Sequence, residues 1–213
     1  MILKRIYLSY FLIAFMSALT LLALPAARAA EEGPDEMIRR LSTDVLNNIK
    51  ADKDVQKGDV SKITAFVDSK VMPNVNFTRM TASAVGRNWR QATPEQQKRL
   101  QDEFKNMLVR TYAGALSQVK DQTVEVKPLR AGAADTEVIV RTEVIGRGDA
   151  VRLDYRMEKT ANGWKIYDFN VLGIWMVETY RTQFAQEISA RGIDGLIATL
   201  VQRNKSGSGE KKS

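Results

Sequence analysis

The residues from 163 to 184, GWKIYDFNVLGIWMVETYRTQF, change their hydrophobic period half way along, and that change constrains the fold more than any other feature of the chain. Up to Leu172 the stretch is dense in aromatic and β-branched residues, Trp164, Ile166, Tyr167, Phe169 and Val171, which suits a strand on a half-buried sheet. Beyond Gly173 the apolar residues fall at Val177, Tyr180, Phe184 and Ile188, three and four apart, as on one face of a helix. A strand therefore passes into a helix, and a groove can form between the sheet and the helical layer.

Helices are expected before this joint. Ile38, Leu41, Val45 and Ile49 mark an amphipathic helix from Asp35 to Lys50. A second starts at Asp59 as N-cap, carries Val60, Ile63, Phe66, Val67 and Val71, and stops at Pro73. A third is expected from Thr78 to Gly86. The strongest start signal is Thr93-Pro94-Glu95-Gln96, with Thr at N-cap, Pro at N1 and Gln at N3. Leu100, Phe104, Met107, Leu108, Thr111, Ala115 and Val119 then hold one face for about seven turns.

Four strands follow, 123–130, 136–147, 150–160 and 164–172, each bounded by turn residues. Val138, Val140, Thr142 and Val144 alternate with Ile139, Arg141 and Glu143, and Leu153, Tyr155 and Met157 alternate with Asp154, Arg156 and Glu158. The turns Gly146-Arg147-Gly148-Asp149 and Ala161-Asn162-Gly163 are short enough for hairpins, so the sheet is antiparallel with one apolar face. The last helix stops at Gly192 and restarts at Asp194. Helices, a four-stranded meander and helices again make an α+β pattern, a curved sheet clasped by helices with a tapered apolar space between.

The ends read differently. Lys4 and Arg5 precede an apolar run to Leu24, and Ala27-Arg28-Ala29 follows, the pattern of a signal peptide cleaved after residue 29. Cleavage takes Lys4, Arg5 and Arg28 with it and lowers the formal charge of +7 by three. One domain is expected over 30–203, and the low-complexity stretch from Asn204, NKSGSGEKKS, as a disordered tail.

The basic residues are scattered, so no nucleic-acid footprint is concentrated anywhere. The chain has no cysteine and no histidine, which removes disulfides, Ser-His-Asp and Cys-His arrangements and the usual zinc ligand sets. Asp154, Glu158 and Asp168 lie on expected strands, where a desolvated acid can act as a base. Each has an Arg or Lys nearby and is expected to face water. Asp35, Asp52, Asp54 and Asp59 are too loosely spaced for a calcium loop, and the glycines form no phosphate loop. No metal and no cofactor is expected. Trp175, at the joint, is expected near the mouth of the groove. Binding something apolar is what these residues permit. An isomerase or dehydratase on a cone-shaped scaffold, and a protein-only adaptor, stay open at this point.

Two groups of stretches resemble a known family. The first is Phe77-Thr-Arg-Met80, Gly86-Arg-Asn-Trp-Arg90, Ala92-Thr-Pro-Glu-Gln96, Phe104 and Arg110-Thr-Tyr-Ala113; the second is Gly163-Trp-Lys-Ile-Tyr-Asp168, Gly173, Tyr180-Arg181, Gln183-Phe184 and Gly192-Ile-Asp-Gly-Leu196. Together they resemble the MlaC family of periplasmic phospholipid-binding proteins, also called the toluene-tolerance auxiliary family. The resemblance implies a fold related to nuclear transport factor 2 with added helices, and a pocket for phospholipid acyl chains. It implies a non-enzymatic, monomeric periplasmic carrier between an outer-membrane lipoprotein complex and an inner-membrane ABC transporter with a lipid-binding subunit. Trp175 replaces a small Ser common in the family, and Glu178-Thr179 replaces a frequent x-Asn. The chains are expected between the sheet face (Val124, Val126, Val138, Val140, Leu153, Tyr155) and helices carrying Leu108, Tyr112, Val177 and Tyr180, with Ile174 and Trp175 near the entrance. Arg110 and Arg181 are the candidates for a head group.

Overall fold

The computed structural model describes residues 32–206 apart from Ala133; the expected signal peptide and the end of the expected tail lie outside the described residues. Helix α1 (Pro34–Ala51) begins with Pro at N1, and Gly33 N–H donates to the Glu36 carboxylate at 3.3 Å. A single turn, α2 (Lys53–Gln56), is started by Asp52, which accepts from Asp54 N and Val55 N. Helix α3 (Val60–Phe66) is capped by Asp59, which accepts from Ser61 N and Lys62 N. The expected single helix to Pro73 is divided: α3 widens into a π turn at Val67–Val71 and tightens into a 3₁₀ turn at Met72–Asn74. Proline supplies no N–H, so the regular ladder cannot be carried through it.

Helix α4 (Phe77–Val85) is capped by Asn76, which accepts from Arg79 N, and ends at Gly86. A 3₁₀ stretch, Gly86–Gln91, leads to α5 (Pro94–Ser117). Both halves of the capping box form: Gln96 N donates to Thr93 Oγ1 at 3.2 Å and Thr93 N donates to Gln96 Oε1 at 3.0 Å. Together they satisfy two amides that would otherwise lack partners.

The sheet is a single antiparallel meander of five strands in the order β1 to β5: β1 (Thr123–Val126), β2 (Glu137–Ile145), β3 (Val151–Thr160), β4 (Gly163–Val171) and β5 (Ile174–Trp175). The fifth strand was not legible in the sequence, because it is two residues long and follows a turn at Leu172-Gly173. Leu172 takes φ 53° and Gly173 φ 95°. The first strand ends at Val126 instead of Arg130, close before Pro128. A bulge between Arg156 and Met157 curves β3 against β4.

Helix α6 runs Met176–Ser206 and breaks at Gly192, φ 70° and ψ −177°. A tail is expected from Asn204, but the helix continues to Ser206 and carries Asn204 to a buried position where its amide donates to Glu103 O at 3.0 Å.

Residues paired across an antiparallel ladder share a face, so the register sorts the sheet. On the inner face lie Val138, Met157 and Ile166, then Val140, Tyr155 and Phe169, then Thr142, Leu153 and Val171. On the outer face lie Arg141, Asp154 and Asn170, then Ile139, Arg156 and Asp168. The inner face is covered from two sides. Met37, Ile38 and Leu41 of α1 pack on Val126, Val138 and Val140. Helices α4, α5 and α6 form their own cluster around Phe104, whose ring meets Tyr180 at 5.0 Å and Phe184 at 5.2 Å. A third cluster, Ile49, Val55, Ile63, Val109 and Ala113, joins α1 and α3 to α5.

Candidate functional site

The three clusters do not close over the whole inner face. Val124, Val144 and Leu153 belong to none of them and keep accessible surface. At the same end of the sheet Val151 is 38% exposed and Ile174 57% exposed. Tyr155 shows what lies further in. Its phenol is pushed up to about 12, first by desolvation, with the Thr142 and Ser42 hydroxyls opposing. Yet its side chain still keeps accessible surface. Tyr155 thus stands between the packed part of the inner face and its more accessible end. The apolar inner face is thus packed near Val138 and Val140 and progressively unpacked toward Leu153 and Val144.

Helix α5 and the start of α6 pack against β4 on this side of the sheet. Tyr112 meets Phe169 edge to face at 6.0 Å and donates to Met176 Sδ at 2.9 Å. Burial pushes the Tyr112 and Tyr180 hydroxyls up from their ordinary values. Leu108, Tyr112, Val177 and Tyr180 share one cluster with Phe169 and Val171 of β4. Val126, Val138, Val140 and Tyr155 share another with α1. The structure therefore splits the expected lining between two walls, with Val124 and Leu153 at the unpacked end. Phe169, Val171 and the α1 residues Met37, Ile38 and Leu41 complete the walls. The aromatic run had marked Phe169 as core, and α1 showed only its amphipathic stripe.

One expected position is corrected. Trp175 pairs with Asn170 and so lies on the outer face, where the Arg156 guanidinium stacks 4.0 Å from its ring centroid. Strand β5 is what turns it outward. Ile174, its neighbour, pairs with Val171 and stays at the open end. The two residues expected at a head group each line a cleft of their own. Arg181 donates to Ser83 O at 2.9 Å and lines a cleft of about 690 Å³ between α6 and the 3₁₀ stretch. Arg110 lines a smaller cleft of about 300 Å³ with Met107, Tyr180 and Arg203.

Asp154 and Asp168, expected to face water, are buried at 9% and 1% exposure. Both nevertheless lie on the outer face. Asp168 accepts from Arg156 Nη1 at 3.0 Å and from Val177 N at 3.0 Å, so it caps the start of α6 from the sheet. Burial pushes its carboxyl upward, against the Val177 amide and the Arg156 charge. Glu158, half-buried, receives Arg79, which also binds Glu137 at 2.7 Å and lies 3.6 Å from the centroid of the Tyr167 ring. Asp168 and Glu158 are engaged in these contacts, whereas Asp154 Oδ1 is buried on the outer face without a hydrogen-bond partner among the described residues. No His/Cys/Asp/Glu cluster fit for a metal occurs among the described residues. None of the described helices is long and apolar enough to cross a membrane.

The family model described as "MlaC protein" matches residues 39–202. The toluene tolerance protein ttg2D of Pseudomonas putida is 28% identical over 176 residues, 82% of this chain and 81% of that protein. The intermembrane phospholipid transport system binding protein MlaC of Haemophilus influenzae is 23% identical over 188 residues, 86% of this chain and 88% of its own length. Among solved structures, a phospholipid-binding protein from Ralstonia solanacearum in complex with a phospholipid aligns with TM-score 0.80 and 49% identity. That alignment covers 82% of this chain and 98% of the other.

Proposed function

The chain belongs to the MlaC family, and from that footing we propose that it is a phospholipid carrier of the periplasm, exported by its cleaved signal peptide and working as a monomer. It takes a phospholipid from one membrane system and delivers it to another, between an outer-membrane lipoprotein complex and an inner-membrane ABC transporter with a lipid-binding subunit. The acyl chains enter over Val144, Leu153 and Ile174 and lie between the sheet and α5, against Tyr155, Phe169, Leu108 and Tyr112. The head group remains at the open end of the sheet.

One observation favours this reading over an isomerase or dehydratase. The pairing register turns Asp154 and Asp168 to the outer face, and the inner face from Val138 to Val171 offers hydroxyls and hydrocarbon but no carboxylate. An acid-base enzyme of this shape needs a base inside the cone; a carrier needs none. The relative from Ralstonia solanacearum, at 49% identity, holds a phospholipid, which supports the same reading. The energetics suit it: at about 0.8 kcal/mol per methylene, two chains of about sixteen carbons cost on the order of 25 kcal/mol to expose to water.

Incubating the purified chain with vesicles carrying a fluorescent phospholipid, then separating protein from vesicles by gel filtration, tests the proposal. Label eluting with the protein at near-equimolar amount is expected. Protein that elutes without label after stripping and reloading contradicts it.

A further inference from the structure

The stretches by which the chain resembles its family do not all build the apolar gap. Gly86-Arg-Asn, Gln96, Arg181 and Gly192-Ile193 instead meet at the cleft of about 690 Å³ between the 3₁₀ stretch and α6. Two backbone breaks flank it. Gly86 takes φ 67° where α4 ends, and Gly192 takes φ 70° where α6 breaks. A Cβ at either would meet nothing within 4 Å, so glycine is there for the left-handed backbone and not for want of room. Each break turns the chain along an edge of the cleft.

The chemistry of the cleft is one-sided. Arg87 and Arg181 line it, no Asp or Glu does, and Asn88 and Gln91 add amides. Arg87 is exposed and makes no ion pair among the described residues, and the one hydrogen bond of Arg181 there runs from Nε to Ser83 O. The floor is apolar, with Val85, Ile188 and Ile193. The smaller cleft further round α6 repeats the pattern, with Arg110 and Arg203 and again no acid. Along α6 the lining runs from Arg181 to Ser189, about 8 to 20 Å along the helix axis from Met176 at 1.5 Å per residue, and includes no residue of the sheet.

We propose that this cleft is a docking site for an acidic, amphipathic segment of a protein partner, its carboxylates on Arg87 and Arg181 and its apolar side chains on Ile188 and Ile193. Charge complementarity selects the partner: paired guanidiniums with spare donors over an apolar floor match carboxylates interleaved with aliphatic residues. The proposal rests on the carrier reading in one respect, that a shuttle must be recognised by the proteins between which it passes lipid.

Fluorescence anisotropy of the lipid-loaded full chain tests it, using a labelled helical peptide of Glu and Leu as probe and its Lys and Leu counterpart as control. Saturable binding of the acidic peptide alone is expected, weakened about tenfold by Arg87→Glu and again by raising salt from about 50 to about 300 mM. Arg87 is exposed, so this variant should melt at the parent temperature, and its phospholipid content by mass spectrometry should be unchanged. No binding, equal binding of the Lys peptide, or undiminished binding by Arg87→Glu overturns the proposal. So does a variant that keeps peptide affinity but loses flotation with phosphatidylglycerol vesicles, since the basic cleft would then serve a lipid surface. A chain that takes up no phospholipid from vesicles refutes the carrier reading, and the peptide titration is then read on the empty protein.

Discussion

Replacing Leu153 by Asp puts a carboxylate on the inner face where packing is loosest. Leu153 is half-buried, belongs to no core cluster, and pairs with Thr142 and Val171. The empty protein can therefore hydrate the new charge and fold. The loaded protein has two ways to respond. Protonating an Asp at pH 7 from an ordinary value near 3.9 costs about 4 kcal/mol. Withdrawing about four methylenes of one chain from the site costs about 3 kcal/mol. The cheaper response sets the loss, so affinity for phospholipid should fall by about two orders of magnitude. The neutral acid is favoured in the loaded state, so its pKa rises on loading and affinity returns as pH falls. At pH 5 protonation costs only about 1.5 kcal/mol, and roughly a tenfold recovery is expected. Labelled-phospholipid uptake from vesicles at pH 7 and pH 5 reads both numbers. Ile139→Asp, on the outer face opposite Arg156, serves as the control and should load normally. A folded Leu153→Asp protein that loads like the parent at pH 7 would refute the placement of the chains.

Asp168→Ala removes the acceptor of Val177 N and one partner of Arg156; because Glu178 and the Trp175 ring still face Arg156, a loss of about 2–4 kcal/mol is expected in urea unfolding. Tyr155, raised from 10 to about 12, stays neutral in both folded and unfolded chains below pH 10; ionisation of the unfolded chain then removes about 3 kcal/mol of stability by pH 12. The same urea titration on Tyr155→Phe should lack that share of the alkaline slope. Thr93→Ala deletes the cap at the start of α5 and should cost about 1 kcal/mol with lipid content unchanged.

Much of this fold could be read from periodicity because its helices and strands carry strong local signals. The Thr93-Pro94-Glu95-Gln96 cap forms as the residue types require, and the alternation of Val138, Val140 and Thr142 matches their buried side of β2. What failed was non-local or very short. The turn at Leu172-Gly173 and a strand of two residues decide that Trp175 faces Arg156 and not the groove, and neither leaves a periodic trace. Asp154 and Asp168 look solvated in sequence because Arg and Lys lie nearby, yet Asp168 is buried by the helix it caps. The charge of Arg181 does not show which cleft it lines, because that depends on helices that end or break at Gly86 and Gly192. The apolar inner face was legible from alternation; how α1 shares its covering with α5 follows from packing between segments distant in sequence.

Native mass spectrometry of the mature protein, followed by organic extraction and lipid analysis, tests the central claim most directly. The account predicts a folded monomer that carries phospholipid in near-stoichiometric amount and loses the added mass on extraction. Protein that arrives at its bare chain mass, and stays there after incubation with phospholipid vesicles, would contradict it.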